Sequence, residues 1–265
     1  MATDPAATRF DLRTLDQLHL EDEAAFRPVG LYADLKDVLL RAGTTFRLLP
    51  APSAGRWDRA LFLNLAYWSV DGGGDVLVDD HLAADVVTHV AWHHLAAKAL
   101  PPPPGGHPSA ESLFLGEAIA SAFDLYLVGR LLGHTAESQF LDSQVPAMAE
   151  AASAAGLSDD GFEALLEDVT RDPERAFEDL RELLFDATVA LLACRRADDA
   201  LAALATLDGH RFAPLLHHYE LATWVLDARG RGGSLAPDEA VRALDRTLRE
   251  APVALDWLER HWVRG

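Results

Sequence analysis

The sequence predicts a mainly α protein: a helical domain with a short strand region ahead of a pair of helices that carry histidines and carboxylates. Three observations predict it. From about residue 110 onward, apolar residues recur with a helical period, punctuated by caps, prolines and glycines. Before that point the apolar stretches are short, and one of them, Val76-Leu77-Val78, reads as a strand. Of the 265 residues, 49% are hydrophobic and 25% charged, ample material for a core. This length permits one large domain or two small ones. We divide it into residues 1–140, which hold the strands and the chemistry-bearing helices, and residues 141–265, a helical region packed on the first as one unit.

Phe46 to Leu49 and Ala60 to Trp68 are short apolar stretches of ambiguous period. Asp71-Gly72-Gly73-Gly74-Asp75 reads as a loop before the strand. Asp79-Asp80 then opens a helix from His81 to about Leu100, stopped by Pro101-Pro102-Pro103-Pro104-Gly105-Gly106. A long helix covers Leu113 to Leu132 and ends at Gly133. Ser158 caps a helix from Gly161 to Thr170, and Asp172-Pro173-Glu174 opens one that runs towards Arg195. Further helices cover Asp198 to Leu207 and Pro214 to Arg229, a third opens at Ala236-Pro237-Asp238-Glu239, and Pro252 introduces the last. No fixed period of about 34 residues marks a helical repeat array.

The formal net charge is −19. Such a field repels nucleic acid and anionic membranes, so neither is an expected partner. No run of 18 apolar residues is present, so no membrane span is expected, and the first residues lack a secretory pattern. Cytoplasm is the default compartment. The single cysteine, Cys194, lies in an apolar run and reads as a buried thiol.

The chemistry concentrates on two helices. In Asp85-Val86-Val87-Thr88-His89-Val90-Ala91-Trp92-His93-His94, the histidines at 89 and 93 are four apart. That spacing sets their Cβ atoms about 6 Å apart on one face, within reach of one cation. Asp85, four residues earlier, can orient His89, whereas His94 points about 100° away. On the next helix Glu117 and Asp124 lie two turns apart on one face, among Leu115, Ala118, Ile119, Ala122 and Phe123. Carboxylates in such surroundings require a cation or donor when buried.

Asp85-Val86-Val87-Thr88-His89-x-x-x-His93 resembles the zinc helix of thermolysin-like metallopeptidases, the gluzincins. Gly116-Glu117-Ala118-Ile119 resembles the segment that supplies that family's third ligand. The resemblance covers residues 75 to 128, and it implies His89, His93 and Glu117 as metal ligands. It also shows two departures. The family's general base follows the first histidine, and valine stands there as Val90, which cannot take a proton from water. The family's acid four residues after the ligand Glu is Ser121 here, and Asp124 is the candidate for a supporting role behind the ligands.

Two imidazoles and a carboxylate are a catalytic zinc set, and equally the facial triad of iron(II) oxygenases. The expected function is therefore a zinc-binding protein derived from a gluzincin-like peptidase, a pseudopeptidase with a peptide or protein partner. Three alternatives stay open. One is a non-haem iron oxygenase, possible with 2-oxoglutarate, whose carboxylate Arg130 would hold. Another is a hydrolase with its base relocated to Asp85 or Asp124, and the last is a helical interaction protein without metal. His217 and His218 face apart and belong to an apolar helix, with Tyr219 and Trp224 read as core or groove residues and either histidine as a candidate to line the metal cleft. Glu174 to Glu182, with Arg175 and Arg181, reads as a solvated helix face. Trp257 and Trp262 are expected to dock the last helix.

Overall fold

The computed structural model describes residues 10–54, 76–135 and 137–265, and it is mainly α with a few short strands. Strand β1 (Asp11–Thr14) pairs antiparallel with β3 (Thr45–Leu48), and β3 pairs parallel with β4 (Val76–Leu77). The expected strand at residues 76–78 is therefore present but one residue shorter, and Phe46 to Leu48 joins it. The stretches Ala60 to Trp68 and Asp71 to Asp75 lie outside the described residues.

A second, separate pairing sets where the histidine helix begins. Strand β2 (His19–Glu21) runs parallel to β5 (His81–Ala83). Asp79 accepts a hydrogen bond from the His81 amide at 3.0 Å, so this acid turns the chain into a strand rather than capping the helix. The helix starts only at Ala84. Helix α1 (Glu23–Phe26) and helix α2 (Gly30–Ala42) follow β2, and α2 packs against the histidine helix from behind. A short turn of helix, α3 (Ala51–Ala54), follows β3.

The histidine helix is α4 (Ala84–Ala99) and the carboxylate helix is α5 (Ala110–Leu131). By length and composition α5 would suffice to cross a bilayer, yet 83% of its most apolar window is buried by the protein's own elements. It is the central helix, with α4 on one side and α8 (Pro173–Ala193) on the other. Small residues allow this approach. A Cβ on Gly129 would stand 2.6 Å from the Val169 carbonyl oxygen and 3.0 Å from the Pro173 ring at the start of α8, so the chain entering α8 meets α5 directly. In the chain, α6 (Gln139–Ala154) and α7 (Asp159–Arg171) connect α5 to α8. Ser158 caps α7 by accepting from the Gly161 amide, and Asp172 caps α8 by accepting from the Arg175 amide.

Helices α9 (Ala197–Ala205), α10 (His218–Gly230), α11 (Glu239–Glu250) and α12 (Ala254–Leu258) complete the chain. The segment expected as one helix from Pro214 divides into a 3-10 turn at Ala213–Leu215 and α10. One contiguous apolar core runs from Leu15 to Val263, so both halves share it. Trp262 is buried in it, as its docking role requires.

Three side chains depart from expectation. Arg181 is fully buried, bonded to Glu178 and to Asp245 of α11, so residues 174–182 are not simply a solvated face. The stretch has two sides, and acids on α8 and α11 that offset the buried guanidinium are indistinguishable in sequence from solvated ones. Tyr219 is 87% exposed, because α10 begins at His218 and turns it outward, while Trp224 is buried as expected. Cys194 is half-buried at the end of α8, its thiol donating to the Ala190 carbonyl.

Candidate metal centre

Helical spacing brings His89 and His93 to one face of α4, and the α4–α5 contact brings Glu117 to meet them. Gly116 makes the contact close: a Cβ there would lie 3.2 Å from the Ala96 methyl and 4.0 Å from His93 Nδ1. The two Nε2 atoms lie 3.1 Å apart. His93 Nε2 is 3.2 Å from Glu117 Oε2, and His89 Nε2 is 3.6 Å from Glu117 Oε1. One ligand atom from each of the three residues thus converges within 4.8 Å of the others.

These separations bear on whether a metal fits. Tetrahedral ligands with bonds of about 2.0–2.1 Å stand about 3.3 Å from one another, and the three distances of 3.1, 3.2 and 3.6 Å bracket that value. Glu117 is completely buried, and its Oε2 has no hydrogen-bonding partner of acceptable geometry despite the nearby imidazole. A carboxylate oxygen left so is costly unless a cation faces it.

Further side chains hold these three groups from behind. His89 Nδ1–H donates to Asp124 Oδ2 at 3.0 Å, which leaves Nε2 facing Glu117. Ser121 donates to Glu117 Oε1 at 3.1 Å and fixes the carboxylate. The bond at His89 Nδ1 therefore comes from Asp124 and not from Asp85, which stands beside Asp124. Burial, then repulsion from Asp124, pushes the Asp85 carboxyl up to about 6. Burial opposes a charge on His89, but Asp124 and Glu117 outweigh it and hold the imidazole well above its ordinary range. Burial pushes Glu117 up too, yet the His93 and His89 imidazoles beside it bring its carboxyl down to about 2. The cluster thus favours positive charge beside the buried carboxylate.

A comparison with protein-family models, curated proteins and solved structures found no match.

The centre opens on a cleft of about 330 Å³. His89, Glu117, Ser121 and Asp124 form one end of its lining, and His217 and Glu220 from the start of α10 reach the same space. His217 thus joins the site and His218 is not among its lining residues. Arg130 does not: it bonds to Tyr126 and Glu174 and lines a different cavity of about 610 Å³. It lies more than three turns from Glu117, and helical rotation carries it to another face. Val90 is half-buried and packs against the core. His94 faces away, its pKa lowered by burial and then by Lys98. Asp79, Asp80 and His81 also gather ligand atoms, but on an exposed turn where Asp79 is already engaged by the His81 amide.

Sequence reasoning missed Ser121 as a donor and the apolar walls of the cleft. Ser121 is four residues after Glu117, so the spacing carried a signal. The walls come from α6, α8 and α10, far apart in sequence.

Asp124→Asn keeps the shape but weakens the acceptor at His89 Nδ1. Losing such a supporting partner lowers metal affinity by about 10- to 100-fold. Competition with a chelator of known affinity measures it, and an unchanged dissociation constant would remove Asp124 from the site.

Proposed function

We propose that this chain is a zinc-binding protein whose metal centre is His89, His93 and Glu117, open to a ligand cleft and lacking the conventional peptidase base. The observation that carries it is the convergence of the three ligand atoms on a fully buried carboxylate with an unpartnered oxygen. The orienting bond from Asp124 and the donor Ser121 support it, since metal-ligating histidines and carboxylates are held in this way. A bound zinc ion would polarise a carbonyl or water in the cleft.

What the protein's own residues do is more specific. Asp124 holds His89 in the tautomer that presents Nε2, and Ser121 prevents the Glu117 carboxylate from rotating away. His217 and Glu220 are groups in the same cleft able to exchange a proton with a ligand. Val90 offers no such exchange.

With iron(II) in place of zinc, an oxygenase that uses 2-oxoglutarate is the alternative. A 2-oxoglutarate carboxylate needs a cationic anchor, and among the described residues lining the cleft there is no Arg or Lys. Calorimetric titration of the metal-free protein with zinc tests the proposal. One equivalent is expected to bind, with proton release that varies with buffer, because the imidazoles must lose protons to coordinate. Glu117→Ala is expected to abolish that site. Equal zinc binding by wild type and Glu117→Ala would contradict the assignment.

A further inference from the structure

Resting on the metal reading above, we infer that the cleft takes an acyl compound: an uncharged carbonyl end at the metal centre and an apolar chain running along the walls. The cleft has two chemistries. One end is polar, with Glu117, Ser121 and Asp124. Much of the remaining lining is apolar, including Leu180 and Leu184 of α8, Leu221 and Trp224 of α10 and Met148 of α6. Four of these, Leu180, Leu184, Leu221 and Trp224, are themselves buried, so these walls are fixed rather than borrowed from mobile surface.

Size limits the chain. The cavity of about 330 Å³ is near the lower bound for small-molecule sites. At about 30 Å³ for each methylene-sized unit, by analogy with the volume share of a water molecule, it holds roughly ten heavy atoms. A chain of medium length fills the space between the walls, and a longer one projects beyond them. Charge limits the head. No Arg or Lys among the described lining residues is placed to pair with an anionic group, and Asp124 and Glu220 oppose one. An amide or ester carbonyl meets neither penalty and still offers oxygen to the metal.

The test uses the full chain loaded with one equivalent of cobalt(II), whose visible spectrum reports ligands that reach the metal. Straight-chain alkyl hydroxamates of two to twelve carbons are the probes. Affinity should rise about fourfold for each added methylene until the chain fills the cleft, and then level off. Hydroxamates that carry an amino group at the far end should lose that gain, because the charge would lie among the leucines. Ala151→Trp, which fills the cleft from the half-buried face of α6, should flatten the rise without changing cobalt affinity.

Cobalt uptake with affinity independent of chain length would overturn the inference and leave the metal reading standing. Failure to take up cobalt would instead overturn the metal reading. The apolar pocket is then judged by calorimetry of octanamide with the metal-free protein. Binding that Ala151→Trp removes retains it, and no binding overturns it.

Discussion

Zinc at a thousandfold excess over its dissociation constant is expected to raise the melting temperature of the wild-type protein by about 8–16 °C, and His93→Ala should lose nearly all of that rise. The figure follows from linkage. A ligand at 1,000 times its dissociation constant stabilises the folded state by about 4.1 kcal/mol. A chain of this size gains about 2–4 °C for each kcal/mol. His93 supplies one of three ligand atoms, and its Nε2 is 3.2 Å from Glu117 Oε2. Alanine removes the nitrogen and leaves two ligands, too few for a competent site. The zinc-dependent shift, rather than the absolute melting temperature, is the quantity to compare. Removing an imidazole beside a buried carboxylate also changes the metal-free protein. Thermal scans of both proteins with zinc and with chelator give the shift directly, and an equal shift in His93→Ala would remove this residue from the ligand set.

The second large effect lies away from the metal. Asp245→Ala is expected to destabilise the fold by about 3–5 kcal/mol, the usual result of breaking a buried pair from one side. Arg181 is fully buried, and its guanidinium donates to Asp245 Oδ1 at 2.6 Å and to Glu178. The other Asp245 oxygen accepts from Arg249 at 2.8 Å, and Arg249 reaches back to Glu182 and Asp186 of α8. Alanine at 245 therefore leaves a buried cation with half its partners and loosens α11 from α8. Denaturant unfolding measures the loss. The triple variant Glu178→Leu, Arg181→Met and Asp245→Leu should recover most of it, because replacing the whole buried group with apolar residues removes the charges and their desolvation cost together. A loss of less than 1 kcal/mol in the single variant would mean that water reaches Arg181.

These two sites show what could be read in the sequence and what could not. The cluster of His89, His93 and Glu117 was legible because its parts are local. A four-residue spacing put His89 and His93 on one face, and an apolar context marked Glu117 and Asp124 as demanding a partner. The capping residues Ser158 and Asp172 were legible for the same reason, since each acts within three residues of itself. The Arg181 pair was not. Its partner Asp245 lies 64 positions away, and a helix with alternating charges looks alike whether water or another helix faces it. The short pairing of β2 with β5 joins residues about sixty positions apart, and three-residue strands leave no periodicity to detect. Helix α6, with Pro146 inside it and only Phe140 and Ala152 buried, offers little of the apolar stripe that reveals a helix. Asp85 and Asp124 were both eligible to orient His89. Only the packing of α5 on α4 decided for Asp124, at 3.0 Å.

The cleft shows the same division. Its polar end came from two adjacent helices and was anticipated in part. Its apolar walls come from α6, α8 and α10, and they explain why His217 belongs to the site while His218 does not line it.

The most direct measurement is elemental analysis of the protein purified without a histidine tag, alongside His89→Ala and Glu117→Ala. One zinc per wild-type chain is expected, and none in either variant. A wild-type chain that carries no metal and binds none on addition would contradict it, as would metal retained in full by both variants.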